Sequence, residues 1–154
     1  MKKEFMSRAI TLSIESVSKG GGPFGSLIVK DNKIISEGFN QVTSTNDPTA
    51  HGEIVAIRNS CKILNSFSLK GCDLYTSCEP CPMCMSAIYW ARIDNVYYAN
   101  TRDDAKKIDF DDSLIYEQLT KSIKERKIRM TQLMRNEALK AFELWDKKTD
   151  KVKY

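Results

Sequence analysis

His51 is the only histidine in the chain, and Glu53 stands two residues after it in the run His51-Gly52-Glu53. A second run, Pro80-Cys81-Pro82-Met83-Cys84, supplies two cysteines at metal-ligand spacing. Neutral imidazole and thiolate sulfur are the donors a tetrahedral Zn²⁺ prefers, and three protein ligands leave one coordination position open to a reactant. The set therefore points to a catalytic zinc site. It also constrains the fold, which must bring two segments remote in sequence to one point. A closed structural site generally needs four protein ligands, usually as two paired motifs, and this chain offers one pair and one histidine. The prolines on either side of Cys81, with His-x-Glu upstream, set the pair apart from a redox Cys-x-x-Cys.

The apolar pattern shows how such a meeting can arise. Phe5, Ala9 and Leu12 recur at helical spacing, as do Met6, Ile10, Ile14 and Val17, which predicts one amphipathic helix ending at Lys19-Gly20. Residues 25–29 and 33–37 flank Asp31-Asn32, which tolerate the left-handed backbone of a tight turn, and read as a β-hairpin. After a polar loop, Pro48-Thr49-Ala50 leads into a segment where Ile54, Ala56, Ile57, Cys61 and Leu64 repeat at helical spacing, with His51 and Glu53 in its first turn. Leu74 to Ser77 reads as a strand, Pro82 opens a helix running to Ala91, and Asn95 to Asn100 reads as another strand. Strands separated by helices imply crossover connections, some parallel pairing and helices on both faces. The expectation is an α/β fold, a three-layer α/β/α arrangement with a mixed central sheet. Two helix N-termini, one bearing His51 and the other Cys81 and Cys84, converge on one ion if those helices lie side by side on the sheet. Their first-turn N–H groups and dipoles then favour deprotonated sulfur. In the distal third, residues 113–121 read as a short helix and 127–133 as a strand, while Ala138, Phe142 and Trp145 mark one face of a last helix.

With 154 residues and 42% hydrophobic content, the chain suits one domain and is too short for two ordinary ones. No apolar run approaches the roughly 20 residues a bilayer span requires. The segment from Met1 to Gly20 also lacks the apolar core and cleavage site of a signal peptide, so a soluble cytoplasmic protein without a membrane partner is expected. Five cysteines is an odd number, and Cys61, Cys72 and Cys78 read as small buried hydrophobes in a reducing compartment. Cys78 is close to the ligand pair, but the two-residue spacing belongs to Cys81 and Cys84. The net charge of +4 is uneven, with eleven basic against five acidic residues from Lys121 to Tyr154. These basic residues are dispersed and alternate with acids, which suits a solvated helix face better than a nucleic-acid surface.

His-x-Glu with Pro-Cys-x-x-Cys is the general signature of zinc-dependent nucleobase deaminases. The chain carries more than that signature. It has Gly21-Gly22-Pro23-Phe24-Gly25, Asn46-Asp47-Pro48-Thr49-Ala50-His51, Tyr75-Thr76-Ser77-Cys78-Glu79-Pro80-Cys81, Ala87-Ile88-Tyr89-Trp90-Ala91-Arg92, Phe110-Asp111-Asp112-Ser113 and a terminal Tyr154. Over nearly its whole length it resembles the bacterial guanine deaminases, small enzymes of the cytidine-deaminase-like fold. The first three runs are shared with related deaminases, whereas Phe110 to Ser113 and the final tyrosine separate this family from them.

The resemblance implies hydrolytic attack at C2 of guanine, giving xanthine and ammonia, with one Zn²⁺ per subunit on His51, Cys81 and Cys84. A zinc ion with two thiolates and an imidazole is nearly neutral and acidifies water less than an all-histidine site, so a nearby base is valuable. Glu53 is that base, passing protons to the ring nitrogen and then to the leaving amine. Phe24 would pack on the purine, though it also suits the hydrophobe of a Gly-Pro-Phe-Gly turn. Asn40 would hydrogen-bond a purine edge, or else serve as a turn residue after the hairpin. Asp112 would accept from the guanine N–H groups, or else cap the following helix. Trp90 would wall the pocket, although a tryptophan at a helix end also suits packing. The family further implies a homodimer in which residues from about 115 to 154 cross between subunits, Tyr154 completing the partner's pocket. One departure is Gly52, where alanine is expected in most of the family and where fungal-type cytosine deaminases have glycine. The competing readings are a tRNA adenosine deaminase, a cytosine deaminase, and a zinc-stabilised binding module without catalysis.

Overall fold

Apolar residues three and four positions apart bury one side of α1 (Lys3–Ser18), the first element of the computed structural model, which describes residues 3–153. Tyr154 lies outside the described residues. The helix ends as Gly20 takes a φ of 79°, and the N–H groups of Gly20 and Gly21 bond back to the carbonyls of Val17 and Ser16 at 3.0 and 2.9 Å. That pairing satisfies carbonyls a helix end would otherwise leave open. β1 (Gly25–Lys30) and β2 (Lys33–Phe39) form the expected antiparallel hairpin, with φ of 47° at Asp31 and 67° at Asn32. A short α2 (Val42–Thr45) precedes α3 (Gly52–Ile63), β3 (Cys72–Cys78), α4 (Pro82–Ala91), β4 (Asn95–Asn100) and α5 (Arg102–Lys106).

The sheet order is β2-β1-β3-β4, antiparallel between β1 and both its neighbours and parallel between β3 and β4. The parallel pair needs a crossover, and α4 supplies it. Alternate strand residues face opposite sides. Leu27, Val29 and Tyr75 pack with Phe5, Ala9 and Leu12 of α1, while Ile28 and Leu74 pack with Ala56 and Ile57 of α3 and with Ile88 and Ala91 of α4. The mixed sheet thus has helices on both faces, as the sequence pattern implied, and α3 and α4 share one of them.

The approach of α3 to the sheet depends on Gly38. A Cβ there would lie 2.3 Å from the Gly52 carbonyl oxygen and 2.5 Å from the Ala56 nitrogen, both backbone atoms. Gly38→Ala is therefore expected to cost about 1–3 kcal/mol, the usual range for overpacking a well-filled core. Denaturant unfolding checks this, and an unchanged midpoint would mean that α3 can shift without penalty.

The chain divides into two compact units, Met1–Asp112 and Ser113–Tyr154. The second contains α6 (Ser113–Thr120), a 3-10 turn at Ile123–Glu125 and α7 (Arg135–Lys147). Both helices agree with the sequence pattern. The strand expected at 127–133 is absent, because a strand needs a hydrogen-bonded neighbour and the described part of this unit contains no other extended pair. None of its described residues is buried, and Ile128, Leu133, Phe142 and Leu144 are each more than 70% exposed. Among the described residues, no helix is long and apolar enough to cross a membrane.

Candidate metal centre and active site

His51 and Cys81 hold equivalent positions, each in extended backbone immediately before a helix. His51 precedes α3 with φ −69° and ψ 157°, and Cys81 precedes α4 with φ −66° and ψ 168°. The turn before His51 is closed by Asp47, whose Oδ1 accepts from the Thr49 N–H at 2.8 Å and the Thr49 hydroxyl at 2.6 Å. Pro82 suits the first helical position, where its missing N–H is not needed, and Cys84 lies in the same turn. Because α3 and α4 lie on one face of the sheet, the two helix starts meet. His51 Nδ1 is 3.6 Å from the Sγ of Cys81 and 3.6 Å from the Sγ of Cys84.

The three donor atoms lie within 4.8 Å of one another, and they are the only such group of metal-ligating side chains among the described residues. A tetrahedral zinc with ordinary Zn–N and Zn–S bonds would hold nitrogen and sulfur about 3.6 Å apart. The donor spacing thus fits one ion. Cys78 is outside the set: its thiol contacts the Thr101 carbonyl at 3.5 Å, and burial pushes it up to about 11. With no fourth protein donor in the group, the closed structural site loses support.

The electrostatics of the donors agree with a cation site. Cys81 is pushed down to about 4, first by a hydrogen bond from the Cys84 thiol and further by His51. Cys84 moves the other way, because it donates to Cys81 and is buried. Imidazole basicity at His51 is raised by the hydrogen bond to Cys81. Binding of a divalent cation would displace thiol protons from this pair, the usual coupling of metal binding to deprotonation. Glu53, in the first turn of α3, is 5% exposed, and burial pushes its carboxyl above the ordinary range. It is not one of the grouped donors.

Of the expected substrate contacts, Asn40, Phe24, Asp112 and Trp90 fall among the described residues. Asn40, 6% exposed, sits just past β2, and its N–H donates to the Phe24 carbonyl at 3.0 Å. Asn40 Oδ1 accepts from the N–H groups of Gly22 at 3.5 Å and Val42 at 3.3 Å, which fixes the amide's orientation and leaves its NH₂ as the outer end. Phe24 is half-buried, with the edge-to-face ring of Phe110 at 4.9 Å. Phe110 is a neighbour that periodicity does not single out; the signal available is its place two residues before Asp112. Asp112 is partly buried, which raises its carboxyl, while Arg102 opposes that rise and Cys81 adds to it. Trp90 is 65% exposed near the far end of α4. At roughly 1.5 Å per residue its backbone stands about 13 Å along the helix from Cys81.

Residues 1–100 match the family model of the cytidine and deoxycytidylate deaminase zinc-binding region. The chain is 52% identical to guanine deaminase of Bacillus subtilis over 151 residues, 97% of each protein. It is 41% identical to a tRNA-specific adenosine deaminase of Aquifex aeolicus, but over 98 residues and 64% of this chain. Among solved structures, the X-ray structure of guanine deaminase from B. subtilis superposes with a TM-score of 0.97 at 50% identity, covering 100% of this chain and 99% of that one. A guanine deaminase from Nitrosomonas europaea gives a TM-score of 0.70 at 25% identity, covering 92% and 72%. A His-Cys-Cys centre at two helix starts, with this likeness along the full chain, means that the protein belongs to the guanine deaminase family, within the cytidine and deoxycytidylate deaminases that share the zinc-binding region.

Proposed function

We propose that this protein is a hydrolase that deaminates guanine at C2, releasing ammonia and xanthine. The observation that carries the reading is the three-donor centre beside a buried, non-ligating Glu53, in a chain similar to a guanine deaminase across 97% of its length. The matches to tRNA-specific enzymes are weaker, at 41% identity over 64% of the chain or 32% over 88%, against 52% over 97% for the guanine deaminase, which favours a free purine over RNA.

His51, Cys81 and Cys84 would hold the ion. When bound, zinc supplies Lewis-acid activation of the attacking water. Glu53 would take one proton from the attacking water and pass it to a ring nitrogen as the C2–O bond forms, then take the remaining hydroxyl proton and deliver it to the amine as the C2–N bond breaks and the C2 carbonyl forms. One water is consumed and one ammonia released. Phe24 packs against the purine face. Asn40, with Oδ1 already engaged by backbone, presents its NH₂ to a purine acceptor. Asp112 accepts from the N–H groups of the guanine edge. Burial of Glu53 also excludes competing water from its carboxyl.

The working form in this reading is a homodimer in which the segment from about 115 to 154 crosses to a second subunit. The exposed apolar side chains of that unit support it, since Ile128, Leu133, Phe142 and Leu144 would otherwise face water. Tyr154 would complete the partner's purine pocket across such an interface, and Trp90 would wall the pocket. A cytoplasmic setting goes with this proposal, because five free cysteines suit a reducing compartment. The test is ammonia release from guanine, cytosine and adenine, with inosine formation in tRNA measured alongside. Guanine is expected to be the preferred substrate, and deletion of Tyr154 to lower its turnover without loss of fold. Turnover of tRNA alone would replace this reading with the adenosine deaminase one.

A further inference from the structure

Between the end of α1 and the two proposed purine contacts, Phe24 and Asn40, lies a fully buried hydroxyl. Ser16 is 0% exposed, and its Oγ donates to the Gly22 carbonyl at 2.7 Å and reaches the Asn40 carbonyl at 3.3 Å. Gly21 fills the space between them so closely that a Cβ would lie 2.5 Å from the Asn40 carbonyl oxygen and 2.6 Å from Ser16 Oγ. Gly22 separates the two contacts: its Cβ would fall 3.2 Å from the Phe24 ring and 3.4 Å from Asn40 Cγ. The same residue uses its N–H to hold Asn40 Oδ1 at 3.5 Å, and its carbonyl also receives the Phe24 N–H at 2.8 Å. That last bond closes a three-residue turn, a weak restraint by itself.

We infer that Ser16 is a positioning residue for the reaction: its hydroxyl anchors Gly22, and through Gly22 fixes the Phe24 ring and the Asn40 amide as one surface. The inference rests on the reading of Phe24 and Asn40 as purine contacts. Without the hydroxyl, the Asn40 carbonyl loses a buried donor, and Gly22 keeps only the three-residue turn and its long N–H bond to the Asn40 amide, the group that is itself to be positioned. Small displacements of groups that orient a reactant cost rate and binding far more than stability.

The experiment uses the full-length zinc-loaded enzyme with Ser16→Ala, Asn40→Ala and the double variant, and Ser13→Ala as a control. Ser13 is also buried on α1, but its hydroxyl bonds only within the helix, to Ile10 at 2.7 Å. Two readouts are taken, kinetics with guanine and calorimetric binding of xanthine. Ser16→Ala is expected to raise KM and weaken xanthine binding on the order of tenfold, with zinc content unchanged and Ser13→Ala like the parent. In the Asn40→Ala background the same change should cost clearly less than in the parent, leaving the part carried by Phe24, because residues acting as a unit are non-additive. Parental kinetics in Ser16→Ala, or losses that multiply in the double variant, would overturn the inference while leaving the purine contacts standing. Unchanged guanine kinetics in Asn40→Ala would overturn the contact reading and the inference together. If Ser16→Ala does not fold, Ser16→Cys takes its place, close in size and a weaker donor, with the same non-additivity expected.

Discussion

Glu53→Gln is expected to abolish guanine turnover, by about 10³-fold or more, while zinc stays bound at one per chain. The magnitude comes from the proposed role, since a positioned general acid–base group contributes about 10²–10⁴-fold and this carboxylate serves several proton transfers in turn. Glutamine keeps the volume and the planar hydrogen-bonding shape, so a side chain that is 5% exposed can be replaced without opening a cavity. Metal retention is expected because the donor group is His51, Cys81 and Cys84, without Glu53. Elemental analysis and ammonia release, measured on the same preparation, check both halves. Activity within tenfold of the parent would move the proton shuttle elsewhere, and Asp112, partly buried and within the field of Cys81, would be the next carboxyl to replace.

The metal centre is readable from the chain because its chemistry and its backbone position have the same sequence signature. A residue that precedes a helix is marked by the helix itself. Pro82 announces the start of α4, and the Ile54, Ala56, Ile57 periodicity announces α3, so the residue pattern alone assigns the ligands to helix N-termini. The hairpin is equally legible, since Asp31 and Asn32 tolerate the positive φ that its turn uses. Two features are not. Residues 127–131 alternate polar and apolar side chains as a strand would, but alternation does not supply a neighbouring strand, and the described chain has no strand there. The Ser16–Gly22–Asn40 contact joins a helix interior to a loop and a strand end, three positions with no shared periodicity. A serine on the buried side of an amphipathic helix gives no hint of its partner, whereas the glycine run shows only that the chain turns.

Cys84→Ala is expected to remove zinc and activity together, and Cys78→Ala neither. The two thiols make a sharp comparison, being buried at 0% and 5% exposure and only six residues apart. Cys84 is one of three grouped donors, so its loss leaves an imidazole and one thiolate, too few to hold a catalytic ion against water. Cys78 contacts a backbone carbonyl and belongs to no donor group, so its truncation costs a small cavity, about 1 kcal/mol. A ligand bound at about 1,000 times its Kd stabilises the folded state by about 4 kcal/mol. In a chain of this size that corresponds to about 10 °C in Tm. The zinc-loaded parent should therefore lose that much on addition of a strong chelator, Cys78→Ala should respond in the same way from a slightly lower starting point, and Cys84→Ala should show no further response. A chelator-sensitive Tm in Cys84→Ala, with metal still present by elemental analysis, would mean that the ion is held by a different set of side chains.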